Sequence, residues 1–279
     1  MNHRVKQTTD VYAVFGNPIS HSKSPLLQMA FAEQTQQNIT YTAECVEIDA
    51  FAAAADRFFA GGGKGLNITV PFKIDAFHYA KKLTERAERA GAVNTLFQDP
   101  SGAIVGDNTD GIGLVNDINN NLAWTIKNKT VLILGAGGAV RGILEPLINE
   151  QPTSITIANR TLSTAGALAV DFSDIYEIAT SSFTDLNDQY DIIINGTSAS
   201  LSGDLPPLPS TLLTKRSCCY DMMYSKDPTA FLVWCQQQGC CQFSDGLGML
   251  VCQGAESFFI WRQVKPELAP VITQIRRTL

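Results

Sequence analysis

Apolar runs of strand length alternate with helix-period patterns along almost the whole chain. In the first hundred residues strands read at Val11 to Phe15, Tyr41 to Ile48, Leu66 to Val70 and Val93 to Phe97. Between them helices read from about Pro25 to Gln36, Ala50 to Phe59 and Leu83 to Ala90. Strands joined through helices pair in parallel. The polar turn Asp99 to Gly102 then returns the chain as a hairpin into Ile104 and Val105, so one mixed, mostly parallel sheet is expected.

From Asp110 the spacing of Leu114, Ile118 and Leu122 predicts a helix. It leads to Val131, Leu132, Ile133 and Leu134, apolar at every position, as in a parallel strand covered on both faces. Ile155 to Ala158, Asp191 to Asn195 and Cys218 to Asp221 repeat the pattern, which fits a doubly wound Rossmann-type sheet. Two helices, Gly246 to Trp261 and Pro266 to Leu279, close the chain, with Phe258, Phe259 and Trp261 as core contacts. The fold class is therefore α/β with two α/β domains, residues 1–109 plus 245–279 and residues 110–244.

Composition adds limits. At 45% apolar and 17% charged residues the chain has ample core and is not a disordered sequence. Its net charge of -6, without a long run of one sign, favours small molecules over nucleic acid or anionic membranes as partners. Arg4 and Lys6 precede no apolar leader, and no stretch approaches a membrane span. The seven cysteines form no disulfide framework, and the adjacent pairs Cys218-Cys219 and Cys240-Cys241 lack zinc spacing. They read as buried small hydrophobes of a cytoplasmic protein without a metal.

The strand ending at Leu134 runs into Gly135, Ala136, Gly137, Gly138 and Ala139 and then a helix, which suits a pyrophosphate at a helix N-terminus. The third small residue of the usual fingerprint is replaced by Val140. At the end of the next strand, where NAD-binding proteins place a carboxylate, stand Asn159, Arg160 and Thr161. Arg160 can give a 2′-phosphate a charge-assisted bond, which favours NADP.

Three polar clusters sit at strand ends in the first domain: Ser20 to Pro25, Asn67 to Lys73 and Gly106 to Gly111. Hydroxyls, a carboxamide, an amine and a carboxylate converging there suit a polyhydroxylated acid, with Lys73 and Asp110 as an acid–base pair and His21 shaping the loop. Together with Ala90 to Thr95, Tyr220 to Tyr224 and Asp245 to Leu250, these segments make the chain resemble the shikimate dehydrogenases, in order and over nearly its full length.

The resemblance implies NADPH-dependent reduction of 3-dehydroshikimate, with residues 1–109 and 245–279 binding substrate. Lys73 and Asp110 match the catalytic pair. Ser22 and Ser24 would hold the substrate carboxylate, and Asn67, Thr69, Lys73, Asn94, Asp110, Tyr224 and Gln253 the ring hydroxyls and pocket. Met222, Gly246 and Met249 would flank the nicotinamide, with Thr197, Ser198 and Glu85 near the cofactor. A homodimer is the family default.

Three positions depart from the pattern. Thr164 stands where bacterial members often carry a second phosphate-binding Arg, and Gly196 and Gly254 stand where alanines are expected. A quinate/shikimate paralogue that accepts NAD usually carries an Asp that Asn159 to Ser163 lack. A non-catalytic sensor of pathway acids would have no use for both Lys73 and Asp110.

Overall fold

A computed structural model describes residues 9–197, 199 and 203–279. The chain divides into two compact units, one running to Thr109 and resuming at Gln253–Thr278, the other Asp110–Cys252 with Leu279. Packing thus returns the chain to the first unit at Gln253, inside a helix, rather than at 245. Among the described residues no helix is long and apolar enough to cross a membrane.

The first unit is built from β1 (Asp10–Gly16), α1 (Ser24–Gln34), β2 (Ile39–Cys45), α2 (Phe51–Ala60), β3 (Gly63–Ile68), α3 (Lys73–Tyr79), β4 (Lys82–Leu83), α4 (Glu85–Ala90), β5 (Thr95–Gln98) and β6 (Ile104–Asp107). Its sheet order is β2-β1-β3-β5-β6-β4. The hairpin makes β5 antiparallel to β3 and β6; the other pairs are parallel. Successive strand residues point to opposite faces, so Ala13 and Phe15 enter one core with Phe51, Leu66 and Phe72. Tyr12 faces the other way and stacks on Trp261 with centroids 4.8 Å apart.

Gly65 makes room for that indole: a Cβ there would lie 2.4 Å from Trp261 Nε1. The indole N–H donates to the Leu96 carbonyl at 3.3 Å. The expected helix Leu83 to Ala90 starts at Glu85, because Leu83 pairs with β6 and the Thr84 hydroxyl caps the helix by accepting from the Ala87 N–H at 3.3 Å.

The second unit comprises α5 (Asp110–Asn116), a π-turn (Asp117–Asn121), β7 (Thr130–Leu134), α6 (Gly138–Asn149), β8 (Ser154–Ala158), α7 (Leu162–Asp171), β9 (Ile178–Ser181), β10 (Ile192–Asn195), β11 (Cys218–Asp221), α8 (Ala230–Gln237) and β12 (Gln242–Asp245). Two further helices follow, α9 (Leu247–Arg262) and α10 (Leu268–Arg276). The second unit's sheet, ordered β12-β11-β10-β7-β8-β9, is wholly parallel. Val131 and Ile133 pack on α6 side chains such as Ile143 and Leu147, while Leu132 and Leu134 face the α8 residues Phe231 and Leu232. Both faces are therefore covered, which is why β7 is apolar throughout. Strand order reverses between β7 and β10, the point at which such sheets open a ligand crevice. All seven cysteines are free; Cys219 and Cys240 are buried, but Cys241 is exposed and Cys218 half-buried, the last because alternation along β11 turns it away from Cys219.

Candidate active site

In the first unit the strand ends gather the predicted polar residues into one hydrogen-bonded cluster. Asn67 ends the pairing of β3 with β5; its Oδ1 accepts from the Tyr41 hydroxyl at 2.8 Å, and its amide donates to Ser257 Oγ at 3.0 Å and Thr95 Oγ1 at 3.2 Å. The Asn94 carboxamide binds the Thr109 N–H through Oδ1 at 2.9 Å and reaches Gln253 Oε1 at 3.3 Å. Asn67 and Asn94 are buried, where polar groups must be paired to be tolerated. Sequence reasoning gave no role to Tyr41, Thr95 or Ser257. The one local hint is the four-residue step from Gln253 to Ser257, which puts both on one face of α9.

The loop after β1 carries the remaining predicted contacts. The Ser22 hydroxyl accepts from the Ser24 N–H at 3.3 Å, at the start of α1, and Ser24 also hydrogen-bonds Tyr41. Burial raises the Tyr41 pKa, so this phenol stays a neutral donor. Thr69 is fixed by its N–H to the Phe15 carbonyl at 2.9 Å. Gly16 passes so close that a Cβ would lie 2.5 Å from Thr69 Cγ2. Lys73 opens α3, half-buried, and its carbonyl accepts from the Val93 N–H at 2.9 Å. Glu85 is exposed at the start of α4.

Beside it, Arg86 grips Asp107 with two bonds of 2.7 Å and touches Glu256 at 3.2 Å. Asp107 also accepts from the Thr84 hydroxyl at 2.6 Å and the Asn108 N–H at 2.7 Å, which fixes the turn leading to Thr109. Burial pushes the Asp107 carboxyl up, but Arg86 and these donors outweigh it and hold it below its usual range. Its contribution to stability is therefore present above the unfolded value, about pH 4, and is lost as pH falls through the folded one. Arg86→Ala is expected to destabilise the protein by about 3–5 kcal/mol at pH 7, since it strands a buried charge. Denaturation of both proteins from pH 7 to pH 3 checks this: a difference that does not shrink on acidification would show that Arg86 acts through packing instead.

The second unit holds the other predicted residues. Asp110 is the first residue of α5. Tyr224 is half-buried, and burial followed by the nearby Asp245 carboxylate raises its pKa. Met222 and Met249 are buried, and Gly246 lies so close to Met222 that a Cβ would sit 2.2 Å from its carbonyl oxygen. A cleft of about 680 Å³ opens at the strand-order reversal, lined by Gly135, Ala136, Gly137, Asn159, Arg160, Thr161 and Thr197. Gly196 also lines it, and Phe183, Ala199, Asp204, Leu205, Pro206 and Pro207, to which the sequence gave no role, complete its wall. Ser198 lies outside the described residues.

This cleft fits a dinucleotide. Gly135 turns the chain at φ +101°, a conformation other residues adopt only with strain. A Cβ on Gly137 or Gly138 would meet nothing within 4 Å, so open space lies where α6 presents its unpaired N–H groups. Arg160 is exposed at the cleft, and the Asn159 amide is held by the Thr161 carbonyl at 3.0 Å.

Val140 and Gly196, two separate departures in sequence, prove to be one. Val140 is fully buried, and a Cβ on Gly196 would lie 2.4 Å from its Cγ2. The larger residue at one position is accommodated by the smaller at the other. Gly196→Ala alone is expected to lower stability by about 1–3 kcal/mol, and adding Val140→Ala to recover most of it. Thermal denaturation of the single and double variants reads this directly; additive losses would separate the two sites.

Comparison with known proteins follows this geometry. Residues 14–96 match the family model for the shikimate dehydrogenase substrate binding domain. Residues 117–202 match that for shikimate / quinate 5-dehydrogenase, and 246–276 that for the shikimate 5'-dehydrogenase C-terminal domain. The chain is 60% identical over 272 residues to a shikimate dehydrogenase (NADP(+)) of Cellvibrio japonicus, covering 97% of this chain and 98% of that protein. Its structure is similar to that of an Ael1 enzyme from Pseudomonas putida, at TM-score 0.91 and 44% identity over 95% and 98% of the two chains. It is also similar to shikimate 5-dehydrogenase from Thermus thermophilus solved with NADP(H) and shikimate, at TM-score 0.86 and 29% identity over 97% and 100%. The chain belongs to the shikimate dehydrogenase family.

Proposed function

We propose that this chain reversibly reduces 3-dehydroshikimate to shikimate with NADPH, in the route to chorismate and the aromatic amino acids. The observation that carries this is the cluster of Asn67, Asn94 and Gln253 in a chain whose other unit opens an Arg160-bearing dinucleotide cleft. Carboxamides and hydroxyls held on rigid strand ends discriminate among ring hydroxyls, because an analogue lacking one leaves a buried polar group unpaired. Ser22 and Ser24 supply neutral donors for the substrate carboxylate. Thr69 and Tyr224 are assigned as further substrate contacts.

When bound, a reduced nicotinamide would supply the hydride for the C3 carbonyl carbon. Lys73 is assigned as the group that donates a proton to the carbonyl oxygen, and Asp110 as the second member of the acid–base pair. Gly135, Ala136, Gly137, Gly138 and Ala139 cradle the pyrophosphate, and Asn159, Arg160 and Thr161 bind the 2′-phosphate side. Met222, Gly246 and Met249 are assigned to the nicotinamide, and Thr197, Ser198 and Glu85 as further cofactor contacts. The enzyme works in the cytoplasm on a free small acid.

Initial rates of reduced-nicotinamide formation with shikimate or quinate, each with NADP or NAD, test the reading. Shikimate with NADP is expected to be the fastest pair. Faster turnover of quinate with NAD would overturn the assignment, and binding of shikimate without turnover would make the chain a sensor.

A further inference from the structure

The ends of β10 and β11 carry a buried pair to which the reaction assigns no role. Asn195 and Asp221 are register partners on the parallel ladder, and both are fully buried. Asn195 Nδ2 donates to Asp221 Oδ1 at 3.2 Å. Asn195 Oδ1 in turn accepts from the Thr197 N–H at 3.1 Å and the Thr197 hydroxyl at 2.8 Å. The Asp221 carboxylate also receives the Met223 N–H at 3.0 Å and the Thr229 hydroxyl at 2.6 Å. Thr229 is the N-cap of α8.

We propose that Asp221 is a positioning residue that locks the Asn195 carboxamide and thereby fixes Thr197 as a hydrogen-bond acceptor in the dinucleotide cleft. A carboxylate only accepts, so the carboxamide must face it with its NH₂ group. The amide oxygen is left for Thr197, and it takes both donors of that residue. Thr197 lines the cleft, and its hydroxyl, with its proton committed to Asn195, has only lone pairs to offer a ligand there. It suits an O–H or N–H donor of the cofactor, a ribose hydroxyl or the nicotinamide carboxamide, and disfavours a phosphate. The same device fixes Met223, next to Met222, so one buried charge sets two turns around the crevice.

With Asn at 221 the Met223 N–H still turns an amide oxygen toward Asn195, but that bond loses its charge assistance, so the Asn195 carboxamide and with it the Thr197 hydroxyl are held less firmly. This inference rests on the cofactor cleft proposed above.

Calorimetric titration of the purified enzyme with NADP⁺ tests both, with KM for shikimate measured alongside. Asp221→Asn is expected to weaken NADP⁺ binding by about tenfold, the worth of a bond to a charged group. KM for shikimate at saturating NADP⁺ should stay within about twofold. Thr229→Val removes the α8 bond without touching the amide, so it should lower the melting temperature while leaving NADP⁺ affinity unchanged.

Should Asp221→Asn fail to fold, Thr197→Val carries the test, with an expected loss of about threefold. Unchanged NADP⁺ affinity in the folded variant, or an equal loss in Thr229→Val, overturns the lock. Wild-type enzyme that binds no NADP⁺ overturns the cleft assignment and the lock with it; wild-type binding with indifferent variants overturns the lock alone.

Discussion

Lys73→Ala is expected to lower kcat by roughly 10²–10⁴-fold, the usual worth of a positioned acid–base group, while KM for shikimate changes by less than about threefold. Phe72, next to Lys73, is buried and stacks on Phe51 at 5.6 Å, and the Lys73 carbonyl is tied to Val93. Backbone and aromatic packing fix the start of α3, so removing the amine leaves the fold standing and the melting temperature near that of the wild type. The proposed function assigns ring recognition to the hydrogen-bonded cluster of Asn67, Asn94 and Gln253, which the substitution does not touch. A proton donated in the transition state is therefore lost with little loss of ground-state binding. Steady-state kinetics with both substrates saturating decide it: undiminished kcat removes Lys73 from proton transfer, and a rise in KM alone makes it a binding residue.

What the sequence disclosed follows from how local each feature is. The β7 strand could be read because covering both faces leaves no polar position in Val131 to Leu134. The glycine turn could be read because φ +101° at Gly135 admits little else. Helix α3 was illegible: its seven residues expose Ile74 and span too few turns to show a period. The two-residue strand β4 owes its form to pairing with β6, which nothing in Lys82-Leu83 announces.

In the site, motif strings supplied Asn67, Asn94 and Gln253 one at a time. Ser257, which meets Asn67 across 190 positions and lies beside Phe258 in an apolar helix, carried no signal of its own. The Val140–Gly196 exchange shows the same limit. Each looked like an isolated departure until their contact made them one.

Arg160→Ala is expected to raise KM for NADP by about ten- to a hundredfold, the range of one charge-assisted bond to a phosphate, and KM for NAD by less than about threefold. Arg160 is exposed and lines the cleft, and the proposed function sets its guanidinium against the phosphate that only NADP carries. No carboxylate stands in Asn159, Arg160 and Thr161 to favour the 2′-hydroxyl of NAD in its place. Thr164, where a second Arg would share the load, is an exposed residue in the first turn of α7 and donates its N–H to the Thr161 carbonyl at 3.1 Å. The whole charge-assisted term therefore falls on Arg160, and the loss on its removal is larger than in a two-arginine clamp. The converse follows as well: Thr164→Arg, one helical turn on, should strengthen NADP binding by a smaller factor and leave NAD unaffected. Equal effects of Arg160→Ala on NADP and NAD would show that the 2′-phosphate is held elsewhere. A salt series separates the cases further, because a phosphate contact at an exposed guanidinium weakens as ionic strength rises, whereas neutral bonds to Asn159 and Thr161 do not.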